Sequence, residues 1–393
     1  MDTRQASPGL SAVNAEYYLD NAATTAMDAD IAEQCFPLLT ERYGNPSSLH
    51  RLGMDARREV KQARERLARL LGVPPQGVTF TSGGTEADNL ALLGVFASPR
   101  LKGERLLVSA IEHPAVLNTA AALERQGVKI QHIPVTRQGV VNLTALEELL
   151  GPDVRMVSCM AVNNELGTAQ PLEDIGRLMQ RIAPHAVFHV DAVQAFGKQV
   201  LPWRAARVDL LSLSAHKVHG PKGVGALVRC REVPLAPILH GGGQEEGLRG
   251  GTENPFGVVA FSLAAERTAA RFQSQAAERE EYCRRWLDEL SRYPRLRVFR
   301  SEFATPNIIH IRLPPIPGEV VLNHLEQEGV LVSTGSACST RKPEPSHVLL
   351  AAGILAEEAL CSVRLSFSIH NTLAGLPHVF AGFGRAMSRL EKL

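Results

Sequence analysis

Between residues 77 and 230 the chain alternates short apolar runs with amphipathic segments. Seven runs have the length of a strand and are rich in apolar residues: GVTFT, RLLVS, VKIQHIPV, RMVSCMAV, AVFHVDAV, LLSLSA and VGALVRC. Segments between them, such as PLEDIGRLMQRI, have the apolar spacing of a helix buried on one face. Continuous apolar strands separated by helices are typical of a mostly parallel sheet covered on both faces. We therefore predict an α/β fold whose ligands bind beyond the carboxyl ends of the strands.

A glycine-rich stretch, HGGGQEEGLRGGTEN, follows the last of these strands and precedes a long segment rich in Ala, Glu and Arg. Beyond it, two further apolar runs, PNIIHIRL and VRLSFS, are mixed with helical patterns. A chain of 393 residues is too long for one compact core. We predict a large α/β domain over residues 1–259 and a smaller α+β domain over residues 260–393.

The composition of the chain excludes some classes of binding partner. Hydrophobic residues make up 45% of the chain and charged residues 21%, as in ordinary globular proteins. With 42 Lys and Arg against 41 Asp and Glu, no general field attracts the chain to nucleic acid or to an anionic membrane. No apolar run approaches the roughly 20 residues of a membrane span, and the first residues lack the pattern of a signal peptide. We expect a cytoplasmic protein with a small-molecule partner.

The six cysteines are scattered, with no C-x-x-C and no zinc-finger spacing, so we predict neither a disulfide framework nor a metal site. For five of them a core or surface role is expected: Cys35, Cys159, Cys230, Cys283 and Cys361. Cys338 differs, because it lies among glycine, alanine and hydroxyl residues in VLVSTGSACSTRKPEP. A structural thiol usually sits among aliphatic side chains. This context indicates a mobile loop and a chemical role for the thiol.

The segment FTSGGTEADN leads from a predicted strand into a predicted helix. Small residues at this turn, Gly84 among them, let backbone N–H groups at the helix N-terminus approach an anion, and Thr85 adds a hydroxyl donor. The turn therefore suggests a phosphate site. An ordinary capped turn without a ligand has the same sequence features.

Two charged residues end neighbouring apolar strands: Asp191 in HVDAVQ and Lys217 in SLSAHKVHGPKG. Buried charges need partners, and a structural ion pair between the two is one interpretation. The other gives them separate tasks on pyridoxal phosphate. Lys217 would form an imine with the cofactor's aldehyde, and Asp191 would hold a proton on its ring nitrogen.

Ten motifs in order carry a family resemblance: YLDNAATT, GNPSSLH, FTSGGTEADN, EHPAV, NNELG, HVDAVQ, SAHKVHGPKG, GGGQEEGLRGGTEN, TGSACS and VRLSFS. Together they cover the chain from Tyr18 to about Ser368. In this range the sequence resembles the cysteine desulfurases of the class V aminotransferase superfamily, which have the fold type I of pyridoxal phosphate enzymes. The motif TGSACS resembles the branch with a longer active-site loop.

The resemblance implies a pyridoxal 5'-phosphate site. Lys217 matches the Schiff-base lysine, Asp191 the partner of the ring nitrogen, Gln194 the donor to the ring hydroxyl and His113 the imidazole stacked on the ring. Without the resemblance, His113 would be expected to be a loop residue. The positions that match phosphate ligands are Gly84, Thr85, Ser214, His216 and Thr252. The family supplies the last of these from the neighbouring subunit, so the resemblance implies a homodimer.

The substrate implied is L-cysteine. Arg364 matches the arginine that binds the substrate carboxylate, and Asn164 matches an amide that contacts both cofactor and substrate; by sequence alone Arg364 could equally be a surface residue beside a strand. Lys217 would move the Cα proton, and Cys338 would take the sulfur as a persulfide while L-alanine leaves. A sulfur-acceptor protein, either an iron–sulfur scaffold or a thiolation protein, would receive it.

Three alternatives remain at this stage. A selenocysteine lyase or an aminotransferase would use Lys217 and Asp191 in the same way, but an aminotransferase has no use for Cys338. A non-catalytic scaffold that kept the fold would need none of these residues. The sequence also departs from the family at RLSFSIHNT, where relatives commonly have RLSLG followed by arginine.

Overall fold

The computed structural model describes residues 15–335 and 344–392. Its larger sheet contains the strands β1 (Val78–Thr81), β2 (Arg105–Ser109), β3 (Lys129–Ile133), β4 (Val154–Ser158), β5 (Val187–Asp191), β6 (Leu210–Ser214) and β7 (Gly225–Arg229). Their order is β1-β7-β6-β5-β4-β2-β3, and every pair is parallel except the two made by β7. These are the seven strands that the apolar runs predict, so the predicted α/β fold class is confirmed.

The helices are α1 (Ala29–Cys35), α2 (Pro37–Thr40), α3 (Arg51–Leu71), α4 (Gly84–Ala97), α5 (Pro114–Glu124), α6 (Leu143–Leu149), α7 (Leu172–Ile182), α8 (Pro255–Ser274), α9 (Ala276–Leu290), α10 (Gly318–Glu326), α11 (His347–Ala351), α12 (Ala356–Ala359) and α13 (Leu376–Leu390). No helix in the described part of the chain is long and apolar enough to span a membrane.

Helices cover both faces of the larger sheet, as its continuously apolar strands require. Side chains alternate between the two faces along a strand. Leu106 and Val108 of β2 pack with α4 and α5, whereas Leu107 belongs to the core formed with α3, α7 and α8. The predicted boundary at residue 259 lies within α8, whose residues 258–261 and 264–265 belong to the core on that face of the sheet. The boundary stays a prediction.

A second, smaller sheet is antiparallel, with strands β8 (Arg297–Phe299), β9 (Ile308–Arg312) and β10 (Ser362–Ser366) in the order β10-β9-β8. Its core is built around the fully buried Trp286 of α9, which packs with residues of α10 and α13. Strands β9 and β10 were predicted from their apolar runs. Strand β8 was not, because it has only three residues and two of them are exposed.

An N-terminal segment connects the two sheets. Leu19 lies in the core of the smaller sheet, and the N–H of Asn21 donates to Ser366 O. Four residues later, the N–H of Thr25 donates to His216 O beside the larger sheet. The residues between, Ala22 and Ala23, therefore lie where the two sheets meet.

Candidate active site

A cavity of about 610 Å³ lies between the two sheets, at the carboxyl ends of β5 and β6. This is the location expected for a ligand site in a parallel sheet, and the volume is that of a small-molecule pocket. All the predicted site residues except two line it: Gly84, Thr85, His113, Asn164, Asp191, Gln194, Ser214, His216, Lys217 and Arg364.

Asp191 is the last residue of β5 and is 5% exposed. Its Oδ1 accepts a hydrogen bond from the N–H of Val193 at 2.9 Å. Burial raises the pKa of Asp191, and the nearby His113 and Lys217 oppose that rise. A buried carboxylate with so few donors of its own is suited to a cationic N–H group of a ligand.

Lys217 ends the short 3₁₀ turn Ala215–Lys217 that follows β6. Its Nζ donates to the carbonyl oxygens of Ala22 at 2.5 Å and Ala23 at 2.7 Å. It therefore binds backbone carbonyls of the N-terminal segment, and the structure does not show the alternative, a direct ion pair with Asp191. Burial, with help from the positive charge of Arg364, lowers the pKa of Lys217 to about 8. The neutral amine, which is the nucleophilic form, is thus accessible near neutral pH.

His113 occupies the N-cap of α5, where its Nδ1 accepts a hydrogen bond from the N–H of Ala115 at 3.1 Å. The proton of the neutral ring is then on Nε2. Burial lowers the pKa of His113, which favours this neutral form. Gln194 is held on both sides, since its Nε2 donates to Ala22 O at 2.8 Å and its Oε1 accepts from Lys198 Nζ at 3.4 Å.

Four of the predicted phosphate ligands, Gly84, Thr85, Ser214 and His216, lie together at the N-terminus of α4, and Thr252 does not. Ser214 Oγ is buried there and has no hydrogen-bond partner. A Cβ on Gly84 would lie 2.8 Å from Val193 Cγ2 and 3.6 Å from Ser214 Cβ. Only glycine therefore leaves open the corner of the cavity between the start of α4 and Ser214. His216 Nδ1 lies 3.2 Å from Thr24 Oγ1, and burial lowers the pKa of His216 to about 4. An orphaned hydroxyl and a helix N-terminus are suited to an anion.

Arg364 lies in the middle of β10 and is 3% exposed, so the alternative of a surface residue is wrong. Its Nη1 donates to Asn164 O at 2.9 Å, and its Nη2 donates to Asp20 Oδ1 at 2.6 Å. Its Nε is buried and has no partner. Nε and the second N–H of each Nη therefore remain for a ligand carboxylate.

Residues 17–379 match the family described as aminotransferase class-V. The chain belongs to this family. Among curated proteins, it is 37% identical over 381 residues to the cysteine desulfurase IscS of Dictyoglomus turgidum, covering 96% of both chains. It is 39% identical over 380 residues to a cysteine desulfurase of a Nostoc species, covering 96% of this chain and 94% of that protein.

Solved structures agree with this assignment. A NifS-like protein superimposes with a TM-score of 0.88 at 36% identity, over 96% of this chain and 99% of that one. A structure described as SspA in complex with cysteine has a TM-score of 0.78 at 34% identity, over 89% of this chain and 98% of that one. The predicted superfamily and its fold type are confirmed.

Class V aminotransferases depend on pyridoxal phosphate, and this family member has residues that fit the group. Ser214 Oγ and the open corner at Gly84 fit a phosphate. Asp191 fits a protonated ring nitrogen, and the amine of Lys217 fits the cofactor's aldehyde carbon. These residues would hold the cofactor.

Three buried acidic residues of the cavity wall were missed: Asp88, Glu112 and Glu165. Glu112 directly precedes His113, and Asp88 lies near the start of α4, between Ala87 and Asn89. Neither position carries a local signal of burial in the sequence. Glu165 Oε2 accepts a hydrogen bond from Ser346 Oγ at 2.6 Å. Nothing local in the sequence predicts that contact, which joins residues 181 positions apart.

The two remaining predicted residues are not in the cavity wall. Thr252 is exposed in the glycine-rich stretch, which a salt bridge between Arg249 and Glu86 attaches to the first turn of α4. Cys338 lies outside the described residues. Gly335 and Glu344, the described residues on either side of it, both line the cavity.

The departure from the family motif after Arg364 has a structural role. Ser366 Oγ accepts a hydrogen bond from the N–H of Ala22 at 2.8 Å, and Asn21 Nδ2 donates to Asn371 Oδ1 at 3.3 Å. Phe367 is stacked on Trp286, with ring centroids 5.9 Å apart. Of the departing residues, Asn371 therefore holds the N-terminal segment and Phe367 packs in the core of the smaller sheet, whereas Ser366 is shared with the family motif.

Proposed function

We propose that this enzyme is a cysteine desulfurase, which converts L-cysteine to L-alanine and passes the sulfur to its own Cys338. The observation that carries the proposal is that the amine of Lys217 and the buried guanidinium of Arg364 open on one cavity whose wall includes both residues flanking the Cys338 segment. Relatives that match the whole chain bear the name cysteine desulfurase.

Arg364 orients the substrate. Asp20 and the carbonyl of Asn164 each bind one N–H of Nη2 and Nη1, which leaves Nε and the second N–H of each Nη to receive the substrate carboxylate. A fixed guanidinium loses little entropy on binding, so it places the Cα of the amino acid in a defined position. Asn164 lines the cavity beside it.

Lys217 moves the proton at Cα. Its pKa of about 8 gives a substantial neutral fraction, which can accept the proton and later return it to the product. Bound pyridoxal phosphate supplies an electron sink for the bond broken at Cα. With the cofactor bound, Asp191 would keep its ring nitrogen protonated, and His113, neutral in this environment, would lie beside the ring and relay protons.

Cys338 receives the sulfur. Its thiolate attacks the sulfur of the substrate, an S–S bond forms, and the C–S bond breaks. The carbon that loses sulfur gains a proton, so one cysteine and one enzyme thiol give one alanine and one persulfide. Three residues of chain separate Cys338 from Gly335, a span of at most about 11 Å. Because Gly335 lines the cavity, that span is compatible with a reach to the substrate sulfur.

Selenocysteine lyase and aminotransferase activity are the alternatives on the same fold. The relatives that match the chain from end to end are named cysteine desulfurases, and neither alternative is favoured. The direct test is to incubate the purified holoenzyme with L-cysteine and a thiol reductant. We expect sulfide and alanine in equal amounts. Formation of 3-mercaptopyruvate and of the amino acid that corresponds to an added keto acid, without sulfide, would indicate an aminotransferase.

The enzyme is proposed to be a homodimer in which Thr252 of one subunit completes the phosphate site of the other. In the single chain Thr252 is exposed and does not contribute to its own cavity. Exposed apolar side chains between residues 36 and 54 supply a surface for such contact: Phe36, Leu39, Tyr43, Leu49 and Met54. Light scattering on the holoenzyme tests this, since a monomer with full cofactor occupancy would contradict it.

The final acceptor is proposed to be a second protein, an iron–sulfur scaffold or a thiolation protein, that takes sulfur from the Cys338 persulfide. The curated relatives support sulfur transfer as the purpose of the reaction. A cytoplasmic location is part of the same proposal. Transfer of radioactive sulfur from the enzyme to a candidate acceptor, followed by separation of the two proteins, measures the step.

A further inference from the structure

Three buried carboxyl groups belong to the cavity wall around the proposed ring position: Asp88 on α4, Glu112 just before α5, and Asp191 at the end of β5. Their exposures are 1%, 0% and 5%. The three groups interact, because the negative charge of Asp191 raises the pKa of both Asp88 and Glu112. Three negative charges cannot be carried together at such a site without cations.

Glu112 has little to stabilise a charge. Its Oε1 accepts one hydrogen bond, from the N–H of Met160 at 2.5 Å, and its Oε2 is buried without a partner. In residues 15–335 and 344–392, no lysine or arginine forms an ion pair with it. The groups that face it are Asp88, Asp191, the thiol of Cys159 and His347, whose Nε2 lies 3.0 Å from the backbone oxygen of Glu112. Burial raises the pKa of Glu112 well above its usual range.

Asp88 is in a similar position. Its Oδ1 has no hydrogen-bond partner and lies 3.6 Å from His189 Nε2. A side-chain hydrogen bond from Ser212 lowers the pKa of Asp88, but burial and the charge of Asp191 outweigh it. The imidazole of His189 is already engaged, because Ser158 Oγ lies 2.9 Å from its Nδ1 and Ser212 Oγ lies 2.9 Å from its Nε2. Complete burial lowers the pKa of His189 to about 3, so the ring is neutral and gives Asp88 no countercharge.

Asp191 is the exception among the three. It accepts the hydrogen bond from Val193, and the positive charge of Lys217 favours its ionised form. Only Asp191 of the three has a cationic lysine among the groups that act on it. Asp191 is therefore the carboxyl of the three whose surroundings most favour ionisation.

We propose that Asp88 and Glu112 are held as neutral acids, so that Asp191 carries the only negative charge of the three and both act as positioning residues for it. An ionised neighbour would raise the pKa of Asp191. Asp191 would then be protonated more readily and would bind a protonated ring nitrogen less well than it does beside a neutral acid. The neutral acids remove that repulsion. This inference rests on the proposed role of Asp191 in cofactor binding.

The first test measures unfolding of the cofactor-free protein between pH 5 and pH 8. A buried acid whose pKa is raised on folding binds its proton more tightly in the folded state, so it makes the protein less stable as pH rises above its unfolded pKa. The double variant Asp88→Asn, Glu112→Gln should therefore become more stable relative to the wild type as pH rises from 5 to 8, because the buried histidines, whose lowered pKa values act in the opposite sense, are common to both proteins. Glu148→Gln, at an exposed position of α6, is the matched control and should keep the wild-type profile. An unchanged profile in the double variant would overturn the inference.

The second test needs no stability measurement. Infrared spectroscopy of the cofactor-free wild type at pH 7.5 should show the carbonyl stretch of protonated carboxyl groups, and each single variant, Asp88→Asn or Glu112→Gln, should remove part of it. A wild-type spectrum with ionised carboxylates alone would overturn the inference.

Measurements of the cofactor dissociation constant distinguish a failure of this inference from a failure of the proposed function. Asp191→Asn should raise the cofactor dissociation constant at least tenfold more than Glu112→Gln does, because only Asp191 loses a charge. Equal effects would contradict the positioning role. If Asp191→Asn leaves the affinity unchanged, the role of Asp191 fails, while the infrared and unfolding results still decide the protonation of Asp88 and Glu112.

Discussion

Asp20 and Arg364 form an ion pair with 2.6 Å between Asp20 Oδ1 and Arg364 Nη2, although 344 positions separate them in the chain. Two and three residues after Asp20, the carbonyl oxygens of Ala22 and Ala23 accept the hydrogen bonds of Lys217. One short N-terminal segment thus positions both the amine and the guanidinium of the site. The same segment therefore fixes the distance between the two sheets at the cavity.

Replacement of Arg364 by alanine should lower kcat/KM for cysteine by the equivalent of about 2–5 kcal/mol, the cost of truncating one partner of a desolvated charge pair. Cofactor binding should be retained, because the predicted cofactor ligands are other residues. Arg312→Ala is the control: this arginine is ion-paired to Glu358 on the smaller sheet and does not line the cavity. Steady-state kinetics measure the difference, and equal kcat/KM values for both variants would remove Arg364 from substrate binding.

Replacement of Lys217 by methionine should abolish turnover and the visible absorption of the bound cofactor. It should also change how the stability of the cofactor-free protein depends on pH. The folded pKa of Lys217, about 8, lies below its unfolded value, so the unfolded state binds more protons above pH 8 and stability rises with pH there. Unfolding curves between pH 8 and pH 10 should show this rise in the wild type and less of it in the variant.

The exposed Lys129 of β3 gives a control, Lys129→Met, that should keep both the colour and the rise in stability. A Lys217→Met protein that still turns over cysteine at the wild-type rate would show that another group moves the Cα proton.

The sequence predicts those features of the fold and site that depend on neighbouring residues, and not those that depend on contacts between distant parts of the chain. The seven strands of the larger sheet were predicted because each is a short segment rich in apolar residues, and Asp191 and Lys217 because they follow or end two of those segments. The burial of Arg364 could not be predicted in the same way. It depends on Asp20, which reaches it only through tertiary packing.

The buried acids show the same limit. Glu112 and Asp88 look like ordinary polar positions, since a carboxyl group in a helix or at a helix start is common on a protein surface. Only the packing of α4 and of the residues before α5 against the sheet buries them. Family resemblance, by contrast, gave the residues of the cavity wall directly, because the motifs are spaced along the whole chain.

Gly84→Ala should weaken cofactor binding at least tenfold without unfolding the protein. The new Cβ would lie 2.8 Å from Val193 Cγ2 and would occupy the corner beside Ser214. Alanine is the better helix former, so the start of α4 loses no helix propensity. Fluorescence titration of the cofactor-free protein measures the affinity. Gly384→Ala on α13, away from the cavity, should keep wild-type affinity; a Gly84→Ala protein that does the same would show that the phosphate binds elsewhere.

Glu245→Ala should destabilise the protein by about 3–5 kcal/mol, because it leaves a partly buried guanidinium unpaired. Glu245 binds Arg64 through two hydrogen bonds of 2.7 and 2.8 Å and accepts a third from the N–H of Phe80 in β1. The neighbouring Glu246 also has a positive φ, 56° against 49° for Glu245, but its side chain is 64% exposed. Glu246→Ala is therefore a matched control.

Urea unfolding of both variants separates the contribution of the ion pair from that of the backbone. Equal losses would mean that the backbone conformation of the glycine-rich stretch, and not the contact with Arg64, determines the stability of this region.

The central claim is that sulfur passes from L-cysteine to Cys338. The most direct measurement is a peptide map by mass spectrometry after the holoenzyme has reacted with isotopically labelled cysteine in the absence of reductant. The account predicts one additional, labelled sulfur on the peptide that contains Cys338, and a Cys338→Ser variant that changes the cofactor spectrum with cysteine but releases no sulfide. Labelled sulfur found chiefly on the peptides of the other five cysteines, or normal sulfide release by the serine variant, would contradict it.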